Sequence, residues 1–76
     1  MKSRLVVARI EAHGGTLIRT KGSHQRFRVM YVDASGQPRT AYTTVQGPAG
    51  KEIPVGTLKA IQRDLEAAFG EGWLLR

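Results

Sequence analysis

The sequence predicts an α+β fold in the order α-β-β-β-α, a three-stranded antiparallel sheet with both helices on one of its faces. Three observations carry this. Apolar residues recur at helical spacing near both ends of the chain, around residues 4–13 and 55–69. Between them, three segments alternate apolar and polar side chains with the period of two that marks a half-buried strand. The breaks between segments are rich in glycine, proline, serine and aspartate, the residues that turn a chain. With 76 residues, the chain is expected to form one small domain, 1–76, that buries about 60% of the surface its unfolded form exposes. A core that thin must join the strand residues to both helix stripes on a single side of the sheet.

Taken in order, Ser3 is placed to cap a first helix whose stripe is Leu5, Val6 and Ile10, with Val7 at its margin, and Gly14-Gly15 ends it. His13, in the last turn, suits the negative end of the helix dipole and reads as a surface cap residue. Residues 16–20 form a β-branched first strand. Ile18 is expected to point inward, which turns Arg19 and Lys21 outward. Lys21-Gly22-Ser23 is a tight turn. Residues 26–32 place Phe27, Val29 and Tyr31 on one face and Arg26 and Arg28 on the other, with His24 sharing the parity of the arginines. The segment 33–38 is a hairpin connection, and 39–46 is a third strand with Ala41, Thr43 and Val45 inward. Gly47-Pro48-Ala49-Gly50 breaks the pattern. The second helix starts between Pro54 and Thr57, carries the stripe Leu58, Ile61, Leu65 and Phe69, and ends at Gly70. The apolar tail 71–76 is expected to pack against something.

Charge narrows the function. Twelve Lys and Arg against six Asp and Glu give a formal net charge of +6 and a pI near 10.6. Between Ala12 and Val32 lie Arg19, Lys21, Arg26 and Arg28 and no acid. Such a localised patch suits a polyanion, whose released counterions help drive binding. With no cysteine there is neither a disulfide framework nor a thiolate, and His13 and His24 alone cannot make a zinc site. The longest aliphatic run is Leu5-Val6-Val7-Ala8, far short of the roughly 20 residues of a membrane span, and the N-terminus lacks the pattern of a signal peptide. A cytoplasmic protein without membrane contact is expected. Gly50-Lys51 is no P-loop, because Val45 stands where the first glycine belongs and Glu52 where a magnesium-binding hydroxyl is required.

The proposed outer face therefore presents one imidazole among cations, which is what a phosphodiester site needs. Cleaving RNA requires deprotonating a 2′-hydroxyl, stabilising charge on the phosphate and protonating the leaving oxygen. Histidine exchanges protons at neutral pH. Arg19, Lys21, Arg26 and Arg28 are candidates for holding phosphate, the arginines bidentately. Gly22 permits close backbone approach, and the amides of Gly22 and Ser23 are candidate donors to an oxyanion. Tyr42 shares the open face and is a candidate base-stacking residue. Ser23 makes a poor nucleophile, since no acid-oriented histidine stands behind it.

Gly14, Arg19, Gly22-Ser23-His24 and Phe27, followed by Ile53-Pro54-x-Gly56-Thr57-Leu58-x-x-Ile61, resemble the signature of the HicA toxin family over residues 3–62. The resemblance implies a double-stranded-RNA-binding-domain-like fold and a toxin of a type II toxin–antitoxin system. It also implies metal-independent cleavage of mRNA with no cofactor, neutralisation by a HicB-like antitoxin, and His24 as the catalytic histidine. The free toxin is expected to be a monomer and its complex with antitoxin a hetero-oligomer. Two departures stand out. Many members of the family carry a second histidine after the third strand, where this chain has Gln46-Gly47-Pro48, and the extension 70–76 runs past the usual family end. The competing readings are a non-catalytic RNA-binding module using the same face, and an interaction protein that docks a partner through Trp73-Leu74-Leu75.

Overall fold

A first helix, α1 (Ser3–Ala12), leads into strands β1 (Thr16–Lys21), β2 (His24–Val32) and β3 (Pro38–Val45), and a second helix, α2 (Val55–Phe69), follows. The computed structural model describes residues 1–75; Arg76, the end of the expected C-terminal extension, lies outside the described residues. The strands form one antiparallel sheet in the order β1-β2-β3, so the architecture is the one the periodicities predict. β2 opens at His24, two residues before the alternation from Arg26 predicts, and β1 includes Lys21, because the turn tightens to Gly22-Ser23, with Gly22 at φ +59° where glycine carries no steric penalty.

The core lies on one side of the sheet. Phe27 and Val29 of β2 and Val45 of β3 meet Val6 and Ile10 of α1 and Leu58, Ile61 and Leu65 of α2. Thr43 is buried in the same layer and donates its hydroxyl to Asp64 Oδ2 of α2 at 3.0 Å, so the one polar strand residue taken inward is satisfied.

Three local expectations are overturned. Ser3 is not the helix cap: Lys2 holds that position without a side-chain bond, and Ser3 is buried in the first turn. The free amides at the helix start are satisfied instead by the loop after β3, Ser3 N–H donating to the Lys51 carbonyl (2.8 Å) and Arg4 N–H to that of Ala49 (3.0 Å). Leu5 does not belong to the buried stripe and is 50% exposed. Val6 and Ile10, one turn apart, fill the narrow contact, and Leu5 sits about 100° round the helix from Val6. Ile18 is not buried either. It is the extra residue of a β-bulge between Leu17 and Arg19, and like Leu17 it is 41% exposed on the edge strand.

The tail is part of the core. Trp73 and Leu74 are buried against the helices. The Trp73 indole N–H donates to the Gln62 carbonyl (2.8 Å), the Leu75 N–H donates to Gln62 Oε1 (2.9 Å), and Arg9 Nη1 donates to the Leu74 carbonyl (2.6 Å). Trp73 stands edge-on to Phe69 at 5.0 Å and to His13 at 5.6 Å. His13 does cap α1, its Nδ1 lying 2.8 Å from the Arg9 carbonyl oxygen, and it also joins this aromatic cluster. A tail whose anchors are used internally does not present Trp73 to a partner.

The β2–β3 connection is organised by one carboxylate. Asp33 accepts from the Ser35 hydroxyl (2.6 Å), the Ser35 and Gln37 amides (2.9 and 3.0 Å) and Arg39 Nε (2.7 Å). The Ser35 hydroxyl first, and then Arg39 and the Gln37 amide, hold its carboxyl well below the usual carboxylate range.

Two outcomes follow from this packing. Trp73→Ala should cost about 3–5 kcal/mol, the usual range for truncating a buried aromatic, and urea unfolding should show a midpoint far below that of the parent. Asp33 has a folded pKa lowered relative to its unfolded value near 3.9, so the stability it contributes is present above about pH 4 and is lost as pH falls through the lowered value. Asp33→Asn should therefore be less stable than the parent at pH 5, and the gap should close on acidification toward pH 2. A gap independent of pH would mean that the charge contributes nothing.

Candidate functional site

Side chains directly opposite each other across a sheet share a face, so the register assigns the open side. Phe27 and Val29 face the helices, and His24, Arg26 and Arg28 therefore face away from them. Their partners are Lys21, Arg19 and Thr16 on β1, and Thr44 and Tyr42 on β3 opposite Arg26 and Arg28. His24 and the four cations come to one face, with about 13 Å along β2 between His24 and Arg28.

The bulge makes this possible on β1. Unbroken alternation from Thr16, which pairs with Arg28 on the open side, would send Arg19 and Lys21 to the helix side. The extra residue Ile18 resets the phase. Leu17 then pairs with Phe27, while Arg19 pairs with Arg26 and Lys21 with His24.

The positive charge is uncompensated. Among the described residues the ion pairs are the Met1 ammonium with Glu52 and Arg39 with Asp33, both away from this patch. His24, Lys21 and Arg19 are exposed, and Arg26 and Arg28 are half-buried along the sheet. Arg26 is also fixed: its Nη1 donates to Thr44 Oγ1 at 3.1 Å, and its guanidinium carbon lies 4.9 Å from the centroid of the Tyr42 ring. Thr44 was not singled out from the sequence, although its parity with Tyr42 places it beside Arg26.

The turn before His24 is anchored from outside the hairpin. Gly47, at φ +92°, donates its amide to the Ser23 carbonyl at 3.0 Å. Gly22 and Ser23 are exposed next to His24. His13 belongs to the Trp73 cluster, so the site holds a single imidazole. Among the described residues no three His, Cys, Asp or Glu side chains are grouped to hold a metal ion. Chemically, the arrangement offers one imidazole, a group of cations of which Arg26 is held in place, and turn amides.

A family profile described as HicA toxin of bacterial toxin–antitoxin matches residues 3–67. The chain belongs to the HicA toxin family. No curated protein and no solved structure matches it. As a HicA-family member it is a toxin of a toxin–antitoxin system, and membership implies a cognate antitoxin. The family match spans α1, the sheet and most of α2, and ends ahead of the segment that buries Trp73 and Leu74. In this HicA-family chain Gln46-Gly47-Pro48 follows the third strand, and there Gly47 donates its amide to the Ser23 carbonyl. Among the described residues no helix is long and apolar enough to cross a membrane.

An exposed side chain outside the core contributes little to stability. His24→Ala and Lys21→Ala should each change the unfolding free energy by no more than about 0.5 kcal/mol, as measured by urea denaturation. A loss of 2 kcal/mol or more in either variant would make that residue part of the scaffold.

Proposed function

We propose that this toxin is a metal-independent endoribonuclease that cleaves mRNA, with His24 as the general base. The observation that carries the reading is one exposed imidazole standing on an open sheet face, at the end of an anchored turn, among four cations that have no acid partner among the described residues. His24 removes the proton of a 2′-hydroxyl, whose oxygen attacks the adjacent phosphorus, and the 5′-oxygen departs. Arg19, Lys21 and Arg28 hold the phosphates, and the turn amides of Gly22 and Ser23 receive the developing negative charge. With one imidazole present, Lys21 or water protonates the leaving oxygen, and turnover is slow. No cofactor takes part in this scheme, and the antitoxin acting on it is HicB-like.

A single-stranded RNA substrate tests this directly. Cleavage should persist in EDTA, leave a 2′,3′-cyclic phosphate or its hydrolysis product and a 5′-hydroxyl, and fail on RNA with 2′-deoxyribose at the scissile position. His24→Ala should lower the rate by about 10²–10⁴-fold, the usual contribution of a positioned acid–base group. Metal-dependent cleavage yielding 5′-phosphates would refute the mechanism, and full activity of His24→Ala would refute the site. Retained RNA binding with no cleavage by the parent protein would favour the non-catalytic binding module.

A further inference from the structure

Tyr42 and Arg26 together have more structure than phosphate binding requires. A guanidinium binds phosphate through its fork of donors and needs no aromatic partner to do so. Arg26 is instead half-buried, bonded to Thr44 and lying over the Tyr42 ring. Tyr42 is 43% exposed. It stands in the middle of the open face on β3, directly opposite Arg28. The other tyrosine, Tyr31, has the parity of the core face and lies across from Arg39 at the far end of the sheet. Thus the open face carries one aromatic ring, held by a cation on one side and with a second cation facing it.

We infer that Tyr42, fixed by Arg26, is a stacking platform for an unpaired nucleobase, so that this face takes single-stranded rather than duplex RNA. The inference rests on the proposed ribonuclease reading and names its substrate form. A π-face and a guanidinium plane recognise the flat side of a base, and that side is accessible only where the base is not stacked inside a helix. The hydrogen bond to Thr44 fixes Arg26 before RNA arrives, so little side-chain freedom is lost on binding. Arg28, across from the ring, is placed for the phosphate of the stacked nucleotide. His24 precedes Arg28 by four residues on β2, about 13 Å along the strand, so the stacked base is not the one at the scissile bond. In this arrangement Arg26 is a positioning residue acting through Tyr42, and Tyr42 is the contact.

The test uses the full-length His24→Ala protein, which binds without cutting, and an RNA carrying 2-aminopurine as a reporter of stacking. The probe is offered as a single strand and as a perfect duplex at the same salt concentration. The single strand should bind more tightly, with quenched fluorescence. Adding Tyr42→Leu, which keeps an apolar side chain but no ring, should weaken single-strand binding about 5- to 100-fold and abolish the quench, the range expected for losing one stacked base. Tyr42→Phe should keep both. Arg26→Lys should reduce the quench while leaving the salt dependence unchanged, since the charge remains and only the planar clamp is lost. Equal or tighter binding of the duplex, or unaltered binding and quench in Tyr42→Leu, would overturn the inference. Cleavage by the parent protein and its loss in His24→Ala would still stand in that case, so the two failures are distinguishable.

Discussion

The one-residue bulge at Ile18 decides what the two sides of this sheet can be. β1 must satisfy two demands that strict alternation cannot meet together. Leu17 has to lie level with Phe27 on the helix side, while Arg19 and Lys21 have to lie level with Arg26 and His24 on the other. One unpaired residue shifts the phase by half a period and meets both. Without it, Arg19 and Lys21 would lie on the side of Phe27 instead of beside Arg26 and His24. The bulge sits on the edge strand, where the disturbance to the hydrogen-bond ladder is smallest.

From that phase the division of labour follows. One face carries the buried residues of β2 and β3 and joins α1, α2 and the Trp73-Leu74 segment into a single core. The other face carries no covering element, and its cations have no acid partners among the described residues. The acids of the chain lie elsewhere. Asp33 closes the β2–β3 hairpin and Asp64 satisfies the buried Thr43. Four of the twelve cations of the chain thus share one open face with the imidazole, where their charges add.

Much of this was legible in the sequence because periodicity reports faces directly. β2 could be read side chain by side chain, and the parity of His24 with Arg26 and Arg28 needed no structure. What escaped is information that no single strand contains. The bulge depends on register against β2, so Ile18 read as an ordinary inward residue. The cap of α1 comes from carbonyls some 45 positions away, so Ser3 was credited with a role it does not have. The clamp on Tyr42 needs Thr44 and Arg26 in adjacent strands. Local chemistry was readable, and relations across strands or between helix and loop were not.

The loop after β3 touches two distant places. Its Gly47 amide holds the turn before His24, and its Ala49 and Lys51 carbonyls take up the free amides of α1. A ten-residue helix without a side-chain cap is too short to persist alone in water. The helix synthesised first therefore waits for carbonyls that arrive after the whole sheet has been made. The turn that carries the imidazole waits for the same loop. Both of these contacts close long stretches of chain, and pairing between residues distant in sequence slows folding. A chain interrupted before residue 47 has neither the carbonyls that take up the α1 amides nor the amide that holds the turn before His24, so the first helix and the imidazole are secured only once nearly two thirds of the chain exists.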